Sequence, residues 1–101
     1  MTGPARIKWR RKALADLRRI DAWLSGIEGA NPNKVRSRIR AAVASLARLG
    51  DIGRPSKVKG WRELSVRKAP YVIAYRVRGE VLEILAVYHT AQDRNGKDAG
   101  A

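Results

Sequence analysis

The spacing of apolar positions changes period twice along this chain. Arg6-Ile7-Lys8-Trp9-Arg10 alternates basic with apolar residues, which predicts a short half-buried strand. From Lys12 the apolar residues fall three and four apart. Ala13, Leu17, Ile20, Trp23 or Leu24, and Ile27 form the stripe of an amphipathic helix. Gly26 and Gly29 weaken that helix, and Gly29-Ala30-Asn31-Pro32 reads as a break. Asn31 is then an N-cap, with Pro32 at the first helical position where its missing N–H costs nothing. Val35, Ile39, Ala42, Val43, Leu46 and Leu49 make a second stripe, and Gly50 is placed to end it in the left-handed conformation. The short connection makes the two helices an antiparallel hairpin.

Asp51 to Gly60 reads as a loop carrying Arg54, Lys57 and Lys59. Beyond it the period becomes two. Trp61–Arg67 alternates, Lys68-Ala69-Pro70 turns, and Tyr71–Val77 is rich in aromatic and β-branched residues. Arg78-Gly79-Glu80 turns again into Val81–Tyr88, apolar except for Glu83, which predicts a central strand buried on both faces. The order β-α-α-β-β-β describes a single α+β domain. In it a small, mostly antiparallel sheet carries the helical hairpin on one face and leaves the other face partly open. The domain is placed at residues 1–93, and the polar segment 94–101 is read as a flexible tail.

Composition narrows the chemistry. Of 101 residues, 22 are Lys or Arg and 9 are Asp or Glu, for a formal charge of +13. Fifteen of the basic residues are Arg, whose guanidinium fork matches phosphate and carboxylate oxygens. With 45% apolar residues the chain is too hydrophobic for a disordered basic tail. Zero Cys excludes disulfides, thiolate metal sites and cysteine nucleophiles, and a single His argues against an imidazole zinc centre. No metal or cofactor is expected. No apolar run reaches the roughly 18–20 residues of a bilayer span, so a soluble cytoplasmic protein without a membrane partner is expected. The surplus charge fits three partner types, nucleic acid, an anionic membrane surface or an acidic protein, with a solvated basic coat as the alternative.

The residues Trp9…Ala13…Asp16-Leu17…Ile20, Asn31-Pro32, Gly53-Arg54-Pro55, Trp61-Arg62-Glu63-Leu64, Pro70-Tyr71-Val72-Ile73-Ala74-Tyr75-Arg76-Val77 and Val87-Tyr88-His89 together resemble the RelE/ParE toxin superfamily, from about Ile7 to Gln92. The resemblance implies the toxin of a type II toxin–antitoxin pair, neutralised by an acidic antitoxin that folds along it. Operator DNA would be bound only by the toxin–antitoxin complex, through the antitoxin's own domain. Two activities occur on this fold: the RelE branch cuts messenger RNA in the ribosome, and the ParE branch poisons DNA gyrase. An Arg is expected after the aromatic that opens the third strand of RelE-like enzymes, but Val72 follows Tyr71 here. Thr90-Ala91-Gln92-Asp93 likewise lacks the basic pair or terminal Tyr of that branch. The resemblance is therefore closer to ParE, for which no catalytic residue is required because gyrase supplies the DNA-cleaving chemistry.

Under the ribosome-dependent endoribonuclease alternative, His89 is the general acid–base candidate, assisted by Arg62, Arg67 or Arg76. A third possibility is a non-toxic basic nucleic-acid-binding module. Arg54, Lys57, Lys59 and Arg62 are the candidate partner-binding residues, together with the grooves of the helical hairpin. Each has a structural reading as well. His89 can be a strand-end residue bonded to backbone or to Glu63, and Arg62 can anchor the preceding loop. Glu63 and Glu83 can be cross-strand ion-pair partners, Glu83 with Arg67 or Arg76, sharing its face with Leu85, Val87 and His89. Trp9, Trp23 and Trp61 are read as packing residues.

Overall fold

The computed structural model describes Pro4, residues 6–50 and residues 52–91. The boundary at residue 93 and the segment 94–101 lie outside them. Strand β1 (Arg6–Trp9) leads into helices α1 (Arg11–Ser25) and α2 (Pro32–Leu49), followed by β2 (Arg54–Pro55), β3 (Arg62–Ser65), β4 (Tyr71–Arg78) and β5 (Val81–His89). The five strands form one sheet in the order β1-β5-β4-β3-β2, parallel between β1 and β5 and antiparallel elsewhere. The α+β architecture agrees with the sequence reading, with one strand added. Arg54–Pro55 forms this strand where the residue pattern predicts only loop, because a two-residue edge strand containing Pro leaves no periodic signal.

Asn31 caps α2, its side chain accepting from the Lys34 amide at 3.1 Å, and Pro32 opens the helix. Gly50 ends α2 with φ 85° and ψ −142°. Its φ is positive as expected, but its ψ departs from the left-handed helical basin. The pair occupies a region open essentially to glycine alone. The larger core cluster lies between the helices and the sheet. Ala13 from α1 and Ile39, Val43 and Leu46 from α2 pack on Ile73, Tyr75, Leu82, Ile84 and Val87 of the sheet. Trp9 packs against this core, but Trp23 is 57% exposed and Leu24 takes the buried position. The spacing allowed either residue, so Trp23 is corrected from packing residue to surface residue.

A β-bulge in β5 reorganises the face behind the core. Ala74 pairs with Ala86 but Tyr75 pairs with Ile84, which leaves Leu85 as an extra residue. The alternation of β5 flips there, as at any such insertion. Glu83 therefore faces away from the helices with Leu85, Ala86 and Tyr88, while Val87 joins the helix-side core and His89 pairs with Tyr71 on that side. The expectation that Glu83 shares a face with Val87 and His89 is thus corrected. On the face away from the helices, Val72, Ala74, Leu85, Ala86 and Tyr88 form a second cluster, covered in part by Trp61.

Candidate functional site

The helix side of the molecule carries an apolar groove. Between α1, α2 and β1 lies a cavity of about 550 Å³ lined by Ile7, Trp9, Leu17, Leu24, Val35 and Ile39 among others. Arg18, Arg36 and Arg40 sit on its rim with Asp21. Arg36 ties α2 to α1 by pairing with Asp21, and within α2 it donates to Asn33 Oδ1 at 2.7 Å. Ile7 and Leu14 are 44% and 40% exposed beside the groove. A lining of this kind, apolar with a cationic rim, suits an amphipathic helix with acidic flanks.

The opposite, open face is organised by two buried carboxylates. Glu63 on β3 accepts from the Tyr88 hydroxyl at 2.6 Å and pairs with Arg54 at 3.1 Å, across the short β2–β3 ladder. Arg54 also donates to Ser65 Oγ at 3.3 Å. Glu83 on β5 lies opposite Arg76 on β4 and accepts from its Nε at 2.5 Å, with Arg10 at 3.4 Å and Arg78 at 4.0 Å. Both carboxylates have the cross-strand basic partner that the sequence suggested. For Glu83 it is Arg76, and Arg67 lies in the β3–β4 turn.

The hydrogen bond from Arg76 holds the Glu83 carboxyl below its ordinary value of 4.5. Burial opposes the effect, and the charges of Arg76, Arg78 and Arg10 add to it. A depressed folded-state value means that the unfolded chain binds more protons in acid. The contribution is complete above about 4.5 and is lost as pH falls through the folded-state value. The thermal midpoint of Glu83→Gln is therefore expected to lie below that of the parent chain at pH 7, with the gap narrowing in acid. Melting curves at pH 7 and below pH 4 would show it; a gap that stays constant with pH would contradict the assignment.

Three of the candidate nuclease residues, Arg62, Arg76 and His89, do not come together, and Arg67 lies in the turn before Tyr71. Arg62 pairs with Tyr75 on the helix side of β3, and its Nη2 donates to the Gly53 carbonyl at 2.6 Å. Arg76 is on the other face, bound to Glu83. His89 stacks edge-on against Tyr71 with ring centroids 5.4 Å apart, and its Nδ1 accepts from the Ala91 amide at 3.0 Å. Burial pushes the neighbouring Tyr71 phenol above its ordinary value of 10.0. The two structural readings, His89 on backbone and Arg62 as loop anchor, describe what the side chains do. Among the four candidate partner-binding residues, Lys57 and Lys59 are exposed on the β2–β3 loop, whereas Arg54 and Arg62 are engaged within the fold.

Two residues matter more than their sequence reading suggested. Asp16 is fully buried on α1, accepts from the Val87 amide at 2.9 Å and pairs with Lys12 and Arg19. Gly53 donates to the Tyr75 hydroxyl at 2.7 Å and lies against the Glu63 carbonyl, where a Cβ would come within 2.2 Å of the oxygen. Asp16 falls three residues after Ala13 and four before Ile20. A lone carboxylate on an apolar stripe was the signal available for it. Among the described residues, no three His, Cys, Asp or Glu side chains converge on a possible metal site, and no helix is long and apolar enough to cross a membrane.

Comparison with known proteins bears on the whole fold. The family described as the ParE toxin of the type II toxin–antitoxin system parDE matches residues 7–94. Y4kP of Sinorhizobium fredii, a protein named as a toxin, is 39% identical over 87 residues, covering 86% of this chain and 90% of the relative. A chain from the chromosomal ParDE system of P. aeruginosa superposes with a TM-score of 0.75 at 32% identity, over 82% of this chain and 92% of that one. A chain from the RelBE2 toxin–antitoxin complex of Mycobacterium tuberculosis has a TM-score of 0.60 at 20% identity, over 88% and 94%, and shows the shared fold.

Proposed function

The chain belongs to the ParE toxin family of type II toxin–antitoxin systems, and from this we propose that it arrests growth by trapping DNA gyrase on cleaved DNA, in the cytoplasm, until a cognate antitoxin neutralises it. The observation that carries the gyrase reading over RNA cleavage is the separation of Arg62, Arg76 and His89. In-line cleavage needs a base, an acid and phosphate-stabilising cations around one phosphodiester. Here Arg62 and Arg76 occupy opposite sheet faces, and His89 shares the helix side with Arg62 but lies against Tyr71, four residues along β4 from the Tyr75 that faces Arg62. A gyrase poison needs none of these groups to converge.

The antitoxin reading rests on the helical groove. Its apolar lining and the rim of Arg18, Arg36 and Arg40 favour an acidic segment that folds as an amphipathic helix on binding. The free energy of that folding is drawn from apolar burial, and the charges fix register and speed association. Operator DNA would be read by the antitoxin's own domain.

Induced expression of the chain in a bacterial host tests both halves. Filamentation with SOS induction and intact transcripts is the expected result, and His89→Gln should be as toxic as the parent chain. Translation arrest with cleaved messages, abolished by His89→Gln, would overturn the gyrase reading.

A further inference from the structure

We propose that the open sheet face at β1, β5 and β4 is a sequence-independent contact surface for the backbone of duplex DNA, used by this chain without any partner. The register places Arg6, Val81 and Arg78 in one rung across the three strands, and Lys8, Glu83 and Arg76 in the next. Residues directly opposite one another share a face, so all six point away from the helices. Arg10 follows Trp9 at the end of β1 and reaches Glu83. Five cations thus share this region with one buried carboxylate, with Glu80 the further acid at the β4–β5 turn.

Glu83 organises this tile. It bonds Arg76 closely at 2.5 Å but holds Arg10 and Arg78 only at 3.4 and 4.0 Å, and their side chains remain 45% and 65% exposed. Arg76 is fixed by Glu83, and the Arg10 and Arg78 guanidiniums stand close by with donors left over for a ligand. Arginine forks matched to oxygens in this way are the groups that bind phosphate bidentately.

The spacing favours a repeating polyanion. Alternate residues on a strand stand about 6.7 Å apart, and the β1 and β4 rows lie about 10 Å apart across β5. Two parallel cation rows suit a regular backbone that carries one charge per about 3.4 Å of axis on each strand. Duplex is favoured over single strands because no aromatic side chain stands among these residues for bases to stack on. Trp61 lies beyond, beside β3. The basic residues of α2 offer no comparable array, since Arg36 is tied to Asp21 and Arg38 donates to the Lys68 carbonyl at 2.5 Å. The surface lies on the side of the molecule away from the helical groove, so DNA contact and antitoxin docking use different faces.

This goes beyond the gyrase reading and is tested without gyrase or antitoxin. The full chain is titrated into a fluorescein-labelled duplex of about 20 bp and arbitrary sequence, by anisotropy, between about 50 and 200 mM NaCl. Binding is expected to fall linearly on a log–log plot with a slope of about −3 to −4, as for three to four neutralised phosphates. Lys8→Gln with Arg78→Gln, both at exposed positions, should make the slope shallower by about 2 and weaken binding at least tenfold. The equally charged control, Lys34→Gln with Arg48→Gln on α2, should leave slope and affinity near those of the parent chain. Equal loss in both double variants would show a diffuse basic coat and overturn the proposal. So would absence of binding at the lowest salt, tighter binding of a single-stranded RNA of equal length, or displacement of the duplex by an equal charge of polyglutamate. Unchanged far-ultraviolet dichroism and melting in both variants excludes misfolding; if the first double variant melts lower, Arg6→Gln with Arg78→Gln replaces it with the same expected shift.

Discussion

Asp16→Ala is expected to destabilise the fold by about 3 kcal/mol, lowering the thermal midpoint by about 12–24 °C in a domain of this size. Asp16 is 1% exposed, and its Oδ2 accepts from the Val87 amide in the middle of the sheet. Alanine leaves that amide buried against a small cavity. An unsatisfied buried donor forfeits its full desolvation cost, where a satisfied one gains only a modest net amount. Lys12 and Arg19 lose less, since 55% and 65% of their side-chain surfaces are in solvent and can be rehydrated. Asp16→Asn keeps an acceptor for Val87 and gives up the two ion pairs, so about 1 kcal/mol is expected. Denaturant or thermal unfolding of the two variants separates these roles. Equal small losses would mean that the bond to Val87 is not what holds α1 to β5.

Gly53→Ala should have an effect of similar size, about 2–4 kcal/mol, through crowding rather than lost charge. The added Cβ would lie 2.2 Å from the Glu63 carbonyl oxygen, 2.6 Å from the Tyr75 hydroxyl and 2.9 Å from the Glu63 carbonyl carbon. Two of these atoms are backbone of β3, which cannot swing aside as a side chain does. The loop must lift away. It then gives up the Gly53 bond to Tyr75, the Arg62 bond to the Gly53 carbonyl and the pairing of β2 with β3. Arg62→Lys is the companion measurement, because a lysine cannot reproduce the guanidinium fork; it should recover less than half of the loss seen with Arg62→Ala. A Gly53→Ala protein that melts with the parent chain would contradict the packing described here.

Much of this fold was legible because its signals are local. Asn31-Pro32 caps a helix by chemistry that needs no tertiary context, and the change of period at Trp61 separates helices from strands. The bulge at Leu85 was not legible. It lies within the apolar run Leu82–Val87 broken only by Glu83, and an inserted residue of the same character leaves the pattern unmarked. That one residue moved Val87 and His89 to the helix side and left Glu83 on the other, which separated residues the sequence had grouped. The choice between Trp23 and Leu24 was degenerate because both fit a helical stripe, and the larger residue lost.

The candidate site divides in the same way. The salt bridge of Glu83 with Arg76 was readable as opposite charges on neighbouring strands, and Arg62 as an anchor for the loop before it. The partner of Glu63 was not, because Arg54 stands in a two-residue strand without a periodic signal. The helical groove was readable only as a general expectation for a hairpin. It is formed by residues of α1, α2 and β1 together, so its shape depends on how both helices pack on the sheet. The clustering of Arg6, Lys8, Arg76 and Arg78 required the parallel register of β1 on β5, which joins residues more than seventy positions apart.

The most direct test of the central claim is a plasmid supercoiling assay with purified gyrase and the purified chain. Loss of supercoiling with accumulation of linear plasmid after protein digestion is the predicted result, and the cognate antitoxin, once identified, should reverse it. An unchanged topoisomer ladder with folded chain in molar excess would contradict the account.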